Sequence, residues 1–132
     1  MSNRRIAAWA LGAAIWTFIA WGSRIDFITS DDARDPWNWI RIGGSLLLGV
    51  ALVVIAVALW RGRPFTRTVG LAFLTFAGLM IVIWVRSVFS VLFDDESLAF
   101  KLVHIVLAAV SIGFGAILAR FAVQQHIAQR PD

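Results

Sequence analysis

Residues 40–60 read IRIGGSLLLGVALVVIAVALW, and their one charge, Arg41, sits a single residue inside the stretch. The hydrocarbon core of a bilayer is about 30 Å thick, which a helix crosses with about 20 consecutive, predominantly apolar residues. This stretch has that length and that character. Three more stretches share them, at residues 6–22, 69–93 and 98–123. The sequence therefore predicts an all-α protein in which four transmembrane helices pack as an antiparallel, up-down bundle. Residues 1–132 would form a single membrane domain, because no connection is long enough to fold by itself.

Composition agrees with a lipid-solvated chain. Hydrophobic residues make up 60% of the sequence and charged ones 15%, with a mean hydropathy of +0.81. Water-soluble domains carry more charge and less apolar residue. Cysteine is absent, which removes disulfides, thiolate metal sites and cysteine nucleophiles. The net charge of +4 comes from eleven arginines and one lysine against eight acids. Apart from Arg86, these bases sit toward the ends of the spans, where membrane orientation places them, so nucleic acid is not expected as a partner. The first stretch has some marks of a secretory signal, with Arg4 and Arg5 ahead of it and Ala20-Trp21-Gly22 at its end. Its length and its three tryptophans (Trp9, Trp16 and Trp21) favour a retained span.

Charge distribution gives a direction. Arg4, Arg5, Arg61, Arg63, Arg67, Arg120 and Arg130 flank one side of the four spans, and Arg24, Arg34, Arg41 and Lys101 the other. The positive-inside rule then puts both termini in the cytoplasm, in a bacterial inner membrane. The loop Arg61-Gly-Arg-Pro-Phe-Thr-Arg67 decides the matter with three arginines and no acid. Acids gather opposite: Asp26, Asp31, Asp32 and Asp35, then Asp94, Asp95 and Glu96.

Local chemistry fixes the helix ends. Asp35-Pro36 reads as an N-cap followed by proline at the first helical position, where its missing N–H does no harm. Gly62 and Pro64 end the second helix. Thr66 or Thr68 would cap the third, and Asp94 or Asp95 the fourth. The connection around Asp26–Asp32 has room for a short interfacial turn. Its carboxylates could hold a divalent cation, although a capped and solvated loop is the plainer reading.

Burying leucine does not drive helices together in lipid, whereas close approach of small residues does. Ala8/Gly12, Ser45/Gly49, Ala109/Gly113 and Ser111/Gly115 all have the small-x-x-x-small spacing, and Ala77-Gly78 lies mid-way along the third span. Such faces serve a compact bundle or contact with another chain equally well.

Arg86 and His104 are the ionisable residues deepest in the spans, and a charge at mid-bilayer costs several kcal/mol. Counted from the ends of their antiparallel helices, both lie about 10 Å inside the outer boundary. Helical spacing groups Lys101, His104, Ala108, Ser111 and Gly115 on one stripe, and Thr75, Leu79, Val82, Arg86 and Ser90 on another. If these faces converge with Arg41 and Ser45, they form a basic pocket in the outer leaflet. Arg41, Ser45, Arg86, Ser90, Lys101 and His104 are its candidate ligand-binding residues. The plainer alternative has Arg86 reaching the outer surface and His104 neutral, bonded to a hydroxyl or carbonyl.

Reaction chemistry finds little support. No carboxylate lies within a span, His126 is far from His104, and no metal-binding or phosphate-cradling motif occurs. No catalytic residue, metal or cofactor is assigned.

The pattern from Asn38 to Arg120 resembles a family of small bacterial four-helix membrane proteins of unknown function. The likeness rests on Trp39-Ile-Arg-Ile-Gly-Gly-Ser45, the Arg61–Arg67 loop, Phe76-Ala-Gly78, Arg86-Ser87, Asp94-Asp95 and His104. In layout alone the chain also resembles eukaryotic four-span scaffolds that tether sterol-pathway enzymes. The resemblance implies a four-helix fold and brings no catalytic residues. The expected role is a non-enzymatic accessory or scaffold subunit, with membrane lipids and other membrane proteins, or a second copy, as partners. The alternative is a lipid- or quinone-binding protein using the basic pocket, with transport or enzymatic activity.

Overall fold

The computed structural model describes residues 2–22, 25 and 34–128. Among these are four helices: α1 Asn3–Gly22, α2 Pro36–Trp60, α3 Arg67–Phe93 and α4 Leu98–Ala128. All four are long and apolar enough to cross a membrane. The protein is a multi-pass, four-helix bundle. Arg24, the acids of the Asp26–Asp32 connection and Arg130 lie outside the described residues.

The ends form as local chemistry requires. The Asp35 side chain accepts from the Trp37 backbone N–H at 2.9 Å, with Pro36 opening the helix behind it. At the other end of α2, Gly62 adopts φ +82°, a left-handed conformation that side chains disfavour. Its N–H donates to Leu59 O, and that of Arg63 to Ala58 O, the paired bonds of a Schellman motif. Thr66 Oγ1 caps α3 by accepting from Val69 N–H at 3.4 Å. The α4 cap differs from expectation. Ser97 Oγ accepts from Phe100 N–H at 3.3 Å, while Asp94 closes α3 by donating its N–H to Ser90 O. The serine, three residues before Phe100, has the N-cap-to-N3 spacing that the two aspartates lack. Helix α4 also runs five residues beyond the apolar stretch, because nothing between Val123 and Ala128 breaks a helix.

The helices form two antiparallel hairpins, α1 with α2 and α3 with α4. The α1–α4 and α2–α3 seams, which are less extensive, close the bundle. Asn3 Nδ2 ties the start of α1 to the α2–α3 loop by donating to Arg63 O at 3.0 Å. The interior is built from Ile6, Ala10, Ala14 and Trp21 of α1, Leu52 and Leu59 of α2, Phe73, Phe76, Met80 and Trp84 of α3, and Leu118 and Phe121 of α4.

Small residues set the hairpin contacts. A Cβ built on Gly115 would lie 3.1 Å from Ala77 Cα, so the α3 and α4 backbones nearly touch there. A Cβ on Gly49 would meet the Phe18 ring at 3.2 Å, making the corresponding contact between α1 and α2. Outside, the bundle is apolar as well: Ile15, Ile19, Leu47, Val54, Leu71, Val82, Phe89, Val106 and Val123 are all exposed. An apolar surface spread over every helix fits hydrocarbon as the surrounding medium.

Candidate functional site

Each polar group in the spans must find a partner within the protein, since lipid supplies none. Thr17 Oγ1 donates to Ala13 O at 2.7 Å and Ser45 Oγ to Arg41 O at 2.6 Å, each one turn back on its own helix. Both hydroxyls are buried. Between hairpins, the indole N–H of Trp16 on α1 donates to Ser111 Oγ on α4 at 2.9 Å. A second crossing is aromatic, with Trp21 of α1 and Trp84 of α3 at 5.6 Å between centroids, both buried.

The six candidate residues divide by face. His104 is buried, 7% exposed, and its Nδ1 lies 3.1 Å from Phe100 O. A carbonyl only accepts, so Nδ1 carries a proton and donates to it. The Phe100 ring stands 4.3 Å away. Ser45 is buried on α2, and Arg41, half-buried one turn above it, donates from Nη2 to Asn38 Oδ1 at 2.7 Å. The Arg41 guanidinium also lies 5.8 Å from the centroid of the Trp21 ring. Arg86 is exposed, its guanidinium 4.8 Å over the Trp37 indole at the start of α2. Ser90 is exposed and reaches Asp94 Oδ2 at 3.4 Å. Lys101 Nζ donates to Leu92 O at 3.2 Å, bridging the two ends of the α3–α4 turn.

The α4 stripe turns inward as its spacing suggests: His104, Ala108, Ser111 and Gly115 are all buried. The α3 stripe does not. Thr75, Val82, Arg86 and Ser90 are exposed and Leu79 is half-buried, because α3 buries the face of Phe73, Phe76, Ala77, Met80 and Trp84 instead. The larger aromatic face wins the interior. Arg86 and His104 thus share a depth without sharing a direction.

Ser111 is bonded by Trp16, Ser90 by Asp94, and His104 to its own helix. Among the described residues no three of His, Asp and Glu gather as a metal site would need.

Two clefts lie at the opposite end of the bundle, and sequence reasoning missed both. One, of about 300 Å³, is lined by Arg5 and Trp9 of α1 and by Ile117, Arg120, Phe121 and Gln124 of α4. The other, of about 210 Å³, brings Thr66, Arg67 and Leu74 against Ala122 and His126. The arginines were visible in the sequence as topology signals. Their meeting across a seam required knowing which helices are neighbours.

The outward face of α4 completes the inventory. Ala109 and Ala116 are exposed, and a Cβ on Gly113 between them would meet nothing within 4 Å. Comparison of the chain with protein-family models, curated proteins and solved structures finds no match.

Proposed function

We propose that the protein is a non-enzymatic accessory subunit of a bacterial inner membrane, packing against partner membrane proteins with both its termini in the cytoplasm. The observation that carries the reading is the outward stripe Ala109, Gly113 and Ala116. It lies on the opposite side of α4 from Ser111 and Gly115, which already serve the bundle. Small residues at this spacing let a second helix approach closely, and the gain comes from van der Waals packing that lipid chains do not match. The partner is another membrane protein's helix. For orientation, the support is the cluster of Arg4, Arg5, Arg61, Arg63, Arg67 and Arg120 at one end of the bundle.

The test uses the absence of native cysteine. Single cysteines at Ala109 and Ala116 should give discrete hetero-adducts in native membranes with a short bifunctional thiol–amine reagent. Cysteines at Leu47 and Val54, on the exposed face of α2, should not. Adducts at all four positions alike, or a homodimer as the sole product, would overturn the reading.

A second reading keeps the outer-leaflet residues as a lipid or quinone site. It is favoured by the Arg86 guanidinium, held on Trp37 at an exposed position. Arg86→Ala should then release a lipid that native mass spectrometry finds on the wild type, and an unchanged lipid complement would count against it.

A further inference from the structure

The cleft between α1 and α4 points to a ligand by its chemistry. Its rim carries two guanidinium groups, Arg5 and Arg120, and none of the six residues lining it is acidic. Both arginines are exposed. Arg5 stands in the first turn of α1, which contains no acidic residue to offset the positive end of the helix dipole. Two like charges facing one cleft of about 300 Å³ favour an anion between them.

The walls are different. Trp9, Ile117 and Phe121 make them apolar, and Trp9 continues toward the membrane centre packed edge-on against Phe114, at 6.0 Å and 66°. Gln124 adds an amide that can both donate and accept. A cationic rim at the end of two spans, above an aromatic wall leading inward, matches an amphiphile with an anionic head and an apolar tail. It does not match a free polar solute, which would leave the wall unused.

The position matters as much as the chemistry. Helices α1 and α4 belong to different hairpins, and their seam is one of two that join the halves. Further along it are the Trp9–Phe114 contact and the Trp16–Ser111 bond. At its end stand the two arginines, both positively charged.

We propose that this cleft binds the phosphate of an anionic phospholipid between Arg5 and Arg120, and that the bound lipid clasps the two hairpins together at the arginine-rich end. The proposal does not depend on the accessory role or on the outer-leaflet residues.

The experiment follows thermal unfolding of the purified full-length chain in mild detergent. Phosphatidylglycerol should raise the midpoint by about 5 °C, since a ligand bound to the folded state alone stabilises it. Phosphatidylcholine and inorganic phosphate should leave the midpoint in place. The Arg5→Gln/Arg120→Gln variant should lose the shift. Arg61→Gln/Arg63→Gln, which removes equal charge from the same end but outside the cleft, should retain it. No shift in the wild type, an equal shift with inorganic phosphate, or equal loss in both double variants would overturn the proposal. A measurement on the wild type alone guards against a variant that does not fold. Native mass spectrometry from vesicles with equal phosphatidylglycerol and phosphatidylcholine should show the anionic lipid enriched several-fold on the protein, and parity would overturn the proposal.

Discussion

Replacing Trp84 with alanine is expected to lower the unfolding free energy of the solubilised bundle by about 2–3 kcal/mol, the largest effect of any single truncation. Trp84 is completely buried, and its ring lies 5.6 Å from that of Trp21 across the interior. In water, such a truncation would lose both the transfer free energy of the indole and the contacts around the resulting void. In lipid or detergent the transfer part is small, because the separated helix keeps its side chain in an apolar medium. The void remains. At about 24 cal/mol per Å³, an uncollapsed space on the order of 100 Å³ costs about 2.4 kcal/mol. Loss of the tilted aromatic contact adds about 0.5–1.5 kcal/mol, and partial collapse takes some away. Denaturant or thermal titration of Trp84→Ala and Trp84→Phe checks this, with phenylalanine recovering at least half of the loss. A Trp84→Ala protein within 0.5 kcal/mol of wild type (about the scatter of surface substitutions) would show that the interior is not packed as described.

Gly115→Leu should cost about 2 kcal/mol, within the range for overpacking a filled contact. Even the first carbon of a side chain there meets Ala77 Cα at 3.1 Å, and a backbone atom cannot rotate aside. The two helices must separate along the most extensive seam of the bundle. Gly113→Leu is the matched comparison, two residues away on the same helix. Its added side chain enters open space, and it should change stability by less than about 0.5 kcal/mol. In native membranes the order reverses for association: Gly113→Leu should abolish hetero-adducts at Ala109 while leaving the bundle intact. Equal destabilisation by the two leucines would contradict the assignment of one face inward and the other outward.

These paired glycines show where sequence reading stops. Ala109/Gly113 and Ser111/Gly115 have the same spacing and similar residues. One pair faces outward, with open space around Gly113, and the other brings the α3 and α4 backbones together at Gly115 and Ala77. The candidate site divides in the same way. His104 and Arg86 are placed at one depth by counting residues, at 1.5 Å each, from the helix ends. Which way each side chain turns is a matter of azimuth. On α4 the polar stripe happened to coincide with the buried face, whereas on α3 the buried face was claimed by Phe73, Phe76 and Trp84. The Arg5–Arg120 cleft was hidden for a related reason. Its two arginines are 115 positions apart and meet only because α1 borders α4.

The number of helices, most of their ends and the end of the bundle at which arginine collects are legible in the linear order of residues. Those follow from hydropathy, capping chemistry and the length a bilayer demands, each a property of a short segment. Tertiary structure alone decided which face of each helix is inside, which small residues touch, and which charges share a cleft. In water, an apolar stripe marks the buried side of a helix. In lipid, both sides are apolar, so facing is set by complementarity of shape between segments far apart in the chain.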